Sequence, residues 1–347
     1  MEKTLFGKTA EGREAALYTI GNAAGMRAQV TDFGAALVSL YVKDKDGNMR
    51  DVVLGYEEVA PYQSQTCYFG ATVGRNCNRI ADACFELDGT RYQLEANDNE
   101  NNLHSGSNGT SERFWEVKEC TDSRITFTME DAHLEQGYPG NAVMEVTYEV
   151  TEDNGLAISY HASADQKTVF NFTNHSYFNL NGQESGDILD HMLQINASGY
   201  TPVKDAKAIP TGEVAAVEDT PFDFRRAKPV GQDIGADHIQ LTYGNGYDHN
   251  FALDRKGDGM ETAAVVCGTK SGIRMEVITD CIAMQLYTGN FIGGQKGKGG
   301  VVYPKHGAMC LETQYFPNSI NEPGFVTPVT DAGESYDSRT IYKFTTV

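Results

Sequence analysis

An all-β protein, built as one large sandwich with few short helices, is the fold class this sequence predicts. Three observations lead to it. Apolar residues recur with a period of two, turn-forming residues interrupt the chain at short intervals, and no long stretch carries an apolar stripe of helical period. The 347 residues include 36 Gly and 10 Pro, the punctuation that short strands joined by turns require. A chain of many short strands must cover its edges, by stacking sheets or by closing a barrel.

Strands are expected first at 36 to 43 and 50 to 54. Phe85-Glu-Leu-Asp-Gly-Thr-Arg-Tyr-Gln-Leu94 then reads as a hairpin; its Asp88-Gly89 pair suits a two-residue type I′ turn, whose central residues both take positive φ. A strand at 124 to 129 follows. Met144, Val146, Tyr148 and Val150 alternate with Glu145, Thr147 and Glu149, and after the turn at 152 to 155 the alternation resumes at Leu156, Ile158, Tyr160 and Ala162. Two such runs form a hairpin with one buried face. Further strands are expected at 263 to 267, 273 to 278 and 282 to 287. No linker, low-complexity tract or repeat divides the chain, so residues 1–347 read as a single domain, long enough to bury a core without disulfides. The segment Gly289-Asn-Phe-Ile-Gly-Gly-Gln-Lys-Gly-Lys-Gly-Gly300 resembles a phosphate cradle only superficially. Gly297-Lys298 is followed by Gly rather than Ser or Thr, and no helix pattern succeeds it. A mobile surface loop is expected there.

Composition narrows the function. Hydrophobic residues make up 40% and charged residues 22%, the profile of a globular chain. Lys and Arg number 28 against 48 Asp and Glu, a formal charge of −20, which repels phosphate backbones and anionic headgroups. Nucleic acid and membrane are therefore excluded as partners, and a neutral small molecule is favoured over a highly anionic one. The seven Cys, at 67, 77, 84, 120, 267, 281 and 310, form no CxxC pair and read as reduced thiols of a cytoplasmic protein. The N-terminal residues show no secretory h-region, and no apolar run reaches the ~18 residues of a membrane span. Assembly as a monomer or a homodimer is compatible with all of this.

Three stretches concentrate groups able to do chemistry. Gly74-Arg-Asn-Cys-Asn-Arg-Ile80 precedes the first hairpin and Asn99-Glu-Asn-Asn-Leu-His-Ser-Gly106 follows it, so Arg79 and His104 can converge. Their plain structural reading has Arg75 and Arg79 paired with surface acids and His104 capping a turn. Phe170-Asn-Phe-Thr-Asn-His-Ser-Tyr-Phe-Asn-Leu180 surrounds His175 with rings and amides. Aromatic rings stack on sugar faces, and amides and imidazoles match hydroxyls; a core histidine is the plain alternative. Tyr247-Asp-His-Asn-Phe251, Met284-Gln-Leu-Tyr-Thr-Gly-Asn290 and Cys310-Leu-Glu-Thr-Gln-Tyr315 form the third stretch. Glu312 stands there among apolar neighbours, a setting for a paired or cleft-facing carboxylate.

Through these phrases the chain closely resembles the aldose 1-epimerase family. Tyr68 to Ile80, Leu103-His104, Thr173 to Leu180, Tyr247-Asp-His249, Met284 to Asn290 and Cys310 to Gln314 occur in family order, and Asp32-Phe-Gly-Ala-Ala echoes its early strand. The resemblance implies a β-supersandwich whose cleft binds a hexose without metal or organic cofactor. By the same resemblance Asn78, Arg79 and His104 hold the sugar, Asp248 and Gln285 bind hydroxyls, and Ser176 and Tyr177 lie in the substrate-contact segment. His175 is the implied acid and Glu312 the implied base. Two departures stand out: Ser105 replaces the first of two glycines that usually follow Leu-His, and Cys77 replaces a small residue before the Asn-Arg pair.

The implied reaction exchanges α and β anomers of a free aldohexose. The C1 hydroxyl loses a proton and the ring oxygen gains one; the open aldehyde rotates about C1–C2 and recloses. One acid and one base are enough, each contributing typically ~10² to 10⁴-fold. The expectation is that ionised Glu312 accepts the hydroxyl proton and protonated His175 supplies the ring oxygen. A retaining glycosidase using Asp248 with Glu312, a sugar-binding module without turnover, and a hexose-6-phosphate epimerase are the competing readings.

Overall fold

The computed structural model describes residues 2–64 and 66–347. Strands dominate it, and the α-helices among the described residues are two short ones, Ala60–Ser64 and Ile239–Gly244. The hairpins lie where alternation puts them. Ala142–Val150 pairs with Gly155–Ala164 across the expected turn. Cys84–Leu87 pairs with Thr90–Gln93, with Asp88 at φ 50° and Gly89 at φ 76°, the type I′ signature.

Three large sheets organise the chain. Five N-terminal strands, from Glu2–Lys8 to Met49–Asp51, form an antiparallel meander. A nine-stranded antiparallel sheet has Ser335–Thr346 at its centre, between Gly155–Ala164 and Ile273–Thr279. A second five-stranded sheet contains Asp248–Ala252, Ala283–Tyr287 and Cys310–Gln314. The nine-stranded sheet packs against both smaller ones. Tyr18 of the meander meets Phe127 edge to face at 5.9 Å, and Tyr342 of the central strand donates to the Leu311 carbonyl at 3.0 Å. One hydrophobic cluster joins Val30 and Leu40, Val146 and Ile158, and Met284 and Leu311.

The glycine-rich segment differs from its expectation. It is pinned from within by Lys298, whose ammonium donates to the carbonyls of Val38 and Val53, to Ser39 Oγ and to Asp51 Oδ2 at 2.7 Å. Tyr303 Oη adds a bond to the Gly55 carbonyl. Pattern reading sees the glycines and misses that a lysine among them is buried, since its anchors lie some 250 residues away in sequence.

Replacing Lys298 by Met should destabilise the protein by about 3 kcal/mol or more, because it strands the Asp51 carboxylate and two carbonyls. Urea unfolding measures this, and a loss below about 0.5 kcal/mol would show the anchor to be dispensable.

Candidate active site

Side chains on neighbouring strands share a face when their residues are in register. Asn250, Gln285 and Glu312 form one cross-strand row, and Asp248, Tyr287 and Cys310 the next. Leu311 joins the main core, and Thr313 Oγ1 meets Thr340 Oγ1 of the nine-stranded sheet at 2.5 Å. Alternation therefore turns Cys310 and Glu312 to the opposite face, where a cleft opens. This explains why every residue of Cys310–Gln314 is buried: one face is sealed by a sheet and the other by the cleft's far wall.

That wall carries the histidines and the arginine. Thr173–Asn174 pairs with Thr72–Val73, and backbone bonds from His175 N to Ala71 O and from Gly70 N to His175 O hold the next residue on both sides. Arg79–Ile80 pairs with Asn102–Leu103, bringing Arg79 and His104 together at the base of the hairpin. The Asn78 amide donates to His104 Nδ1 at 3.1 Å. That bond makes Nδ1 an acceptor, so neutral His104 carries its proton on Nε2. Arg79 Nε donates to Asp98 at 2.7 Å, and Asn78 Oδ1 accepts from the Arg79 amide.

The cleft encloses about 660 Å³ including its solvent-open mouth, lined by Asn78, Arg79, His104, His175, Asp248, Gln285 and Glu312 among others. Glu312 Oε1 lies 3.7 Å from His175 Nε2, with the side chains 3% and 7% exposed. Gln285 Nε2 donates to Asp248 Oδ1 at 2.7 Å. Gln285 Oε1 and Glu312 Oε2 are buried without a hydrogen-bond partner, and buried acceptors of this kind call for donors from a ligand. Burial dominates the electrostatics. It pushes the Glu312 carboxyl well above the carboxylate range, helped by Asp248 and opposed by Arg79. It lowers His175 to about 4, and lowers His104 well below the ordinary imidazole value, with His175 and Arg79 adding to the effect. Asp248 is raised, again by burial first. His104, His175 and Glu312 also present ligand atoms within 4.8 Å of one another, the set in this cleft that could hold a metal ion. Ring opening by an acid and a base needs none.

The sequence profile described as aldose 1-epimerase matches residues 16–343. The chain belongs to the aldose 1-epimerase family. Galactose mutarotase of Sus scrofa is 43% identical over 321 residues, 92% of this chain and 91% of that protein. Aldose 1-epimerase of Escherichia coli K12 is 38% identical, with 96% of each chain covered. The crystal structure of an aldose epimerase homologue from C. elegans superposes with a TM-score of 0.89 at 30% identity, covering 96% of this chain and 99% of that one. The fold is thus that of the galactose mutarotases, and the activity is that of an aldose 1-epimerase, an isomerase acting at the anomeric carbon.

With the family established, the structure bears on three of the sequence-based readings. Ser176 does not line the cleft: it points behind it, its hydroxyl donating to Asn174 Oδ1 at 2.5 Å. Asn174 in turn bonds the Gly70 carbonyl and Tyr148 Oη, so alternation along 174–177 sends His175 and Tyr177 one way and Ser176 the other. Burial lowers His175 to about 4 and so favours the neutral imidazole in the sugar-free site. Arg75 also departs from its surface reading. It is fully buried, bonded to Asp131 and to the carbonyls of Pro139 and Gly140. Ser105 sits at φ 69°, and its hydroxyl bonds the Asn76 amide and carbonyl, holding the loop that bears His104. Cys67, Tyr68, Tyr287 and Phe291 line the cleft as well. The family phrases contain Tyr68 and Tyr287, but nothing local marks Cys67 or the lip residue Phe291, which is 66% exposed.

The paired shifts set a pH profile. Between the two titrations the Glu312–His175 pair holds one proton; below about 4 it gains a second and loses its base, and above the raised Glu312 value it loses its acid. Polarimetric kcat/KM should therefore show an acid limb near 4 and an alkaline limb well above 4.5. An alkaline limb at the ordinary carboxylate value would contradict the burial argument.

Proposed function

We propose that this protein interconverts the α and β anomers of free aldohexoses, galactose and glucose among them, with Glu312 and His175 as the acid/base pair. The observation that carries the reading is their separation of 3.7 Å in a buried cleft. The two atoms that exchange protons, O1 and the ring oxygen, are bonded to the same carbon, so the groups serving them must converge on one small volume. Because the pair holds one proton, either partner can start. Ionised Glu312 accepts from O1 while imidazolium donates to the ring oxygen, or neutral His175 accepts while the carboxyl donates. Ring closure reverses the transfers and returns the pair to its starting inventory.

The other residues hold the sugar. Arg79 and His104 Nε2–H are preorganised donors for oxygen charge as the ring opens, with Asn78 fixing both. Asp248 and Gln285 accept from ring hydroxyls, and the orphaned Gln285 Oε1 is matched to such a donor. Tyr177 forms part of the wall, and Ser176 acts from behind by holding Asn174. The charge of −20 supports a neutral sugar as substrate and disfavours nucleic acid and membrane. Among the described residues no helix is long and apolar enough to cross a bilayer. A cytoplasmic monomer or homodimer without cofactor completes the proposal.

Optical rotation of freshly dissolved α-D-galactose and α-D-glucose tests it. Wild-type protein should speed equilibration of both, and Glu312→Gln should lose about 10²-fold or more in kcat; a variant within about threefold of wild type would remove Glu312 from the mechanism. Arg79→Lys, which keeps charge but loses the planar fork, should raise KM and lower kcat together.

A further inference from the structure

The second ring nitrogen of His175 faces a thiol. Cys310 Sγ lies 3.5 Å from Nδ1 and is wholly buried, one residue-pair away from Glu312 on the same strand face. The Tyr177 ring lies against the same imidazole, with centroids 5.1 Å apart. Both groups stay neutral, because burial pushes the Cys310 thiol and the Tyr177 hydroxyl well above their ordinary values.

These contacts bear on a choice that the reaction makes strict. A neutral imidazole can accept a proton at Nε2 only if its own proton sits on Nδ1, and the tautomer follows the partner of the other nitrogen. We propose that Cys310 is a positioning residue: its sulfur accepts the Nδ1–H of His175, and Nε2 is left unprotonated toward Glu312 and the sugar. The proton then moves between one pair of atoms. The Glu312 O–H bond breaks as the Nε2–H bond forms, giving carboxylate and imidazolium, while Nδ1–H stays in place. A carboxylate at this position, as in the Ser-His-Asp arrangement, would hold the same tautomer but add a charge that stabilises imidazolium. The neutral thiol holds orientation without that bias, so the pair can run in either direction with either anomer.

The inference rests on His175 being half of the acid/base pair, and the experiment separates the two. Heteronuclear NMR of the ¹⁵N-labelled full chain at neutral pH reads the tautomer without turnover. Wild type should show His175 Nδ1 protonated and Nε2 bare; an Nε2–H tautomer would overturn the proposal even if the protein is an active mutarotase. Cys310→Ala should mix the tautomers and lower kcat by at least about tenfold with KM within about twofold, since a wrong tautomer costs catalysis rather than binding. Cys310→Ser, whose hydroxyl can also accept from Nδ1–H, should restore the tautomer and part of kcat. Should the Ala variant not fold, the wild-type spectrum and Cys310→Ser carry the test, and a Ser variant that has lost the Nδ1–H tautomer would refute the role. Wild-type spectra and kcat in Cys310→Ala, or Ser behaving no better than Ala, would refute the role.

Discussion

Desolvation of one carboxyl and one imidazole in near contact is the constraint on which the site depends. In water Glu312 would be ionised and His175 partly charged at neutral pH. Buried 3.7 Å apart, each is driven toward its neutral form, and a single proton becomes the shared property of the pair. A pair with one proton is simultaneously a base and an acid, which is what a reversible hemiacetal opening requires. Neither burial alone nor proximity alone gives this. An exposed pair would settle as a fixed ion pair, and separated buried groups would exchange nothing.

The fold supplies both conditions. The strand Cys310–Gln314 is closed on one face by the nine-stranded sheet, so a polar side chain on its other face is dry by construction unless the cleft admits a ligand. Register on three adjacent strands then aligns Asn250, Gln285 and Glu312, and one row away places Asp248 and Cys310 on either side of Tyr287. The opposite wall is less regular. Tyr68, Asn78, His104 and Ser105 all adopt positive φ, conformations unusual for residues with a Cβ, and they are held there by hydrogen bonds such as Asn78 N to His104 Nδ1 and Ser105 Oγ to Asn76. Strained backbone of this kind persists where surroundings over-determine it, and here it aims the sugar-facing donors.

How much of this was legible beforehand varies with range. Alternation at 144–162 and the Asp88-Gly89 turn are local signals, and the hairpins they announce form as read. The approach of Arg79 to His104 was also visible, because both flank one hairpin. The meeting of His175 with Glu312 was not visible from spacing: the residues lie 137 positions apart, and only the family phrases bring them together. Lys298 was misread because a lysine among glycines looks solvated until Asp51 and the carbonyls of Val38 and Val53 arrive from the N-terminal part of the chain. Ser176 is the opposite case: the family segment Thr173 to Leu180 marks both Ser176 and Tyr177, while alternation from Asn174 to Tyr177 lets one of two neighbours face the cleft. The protonation of His175 likewise depends on burial, which a sequence does not state.

The most direct measurement of the central claim is the titration of Glu312 itself. Selective ¹³C labelling and comparison with Glu312→Gln would identify its carboxyl resonance, which can be followed with pH in the sugar-free protein. The account predicts a midpoint well above the 4.5 of a solvated glutamate, with the His175 ring responding over the same interval as the shared proton departs. A midpoint at or below 4.5 with an unresponsive His175 ring would mean that the two groups do not share a proton.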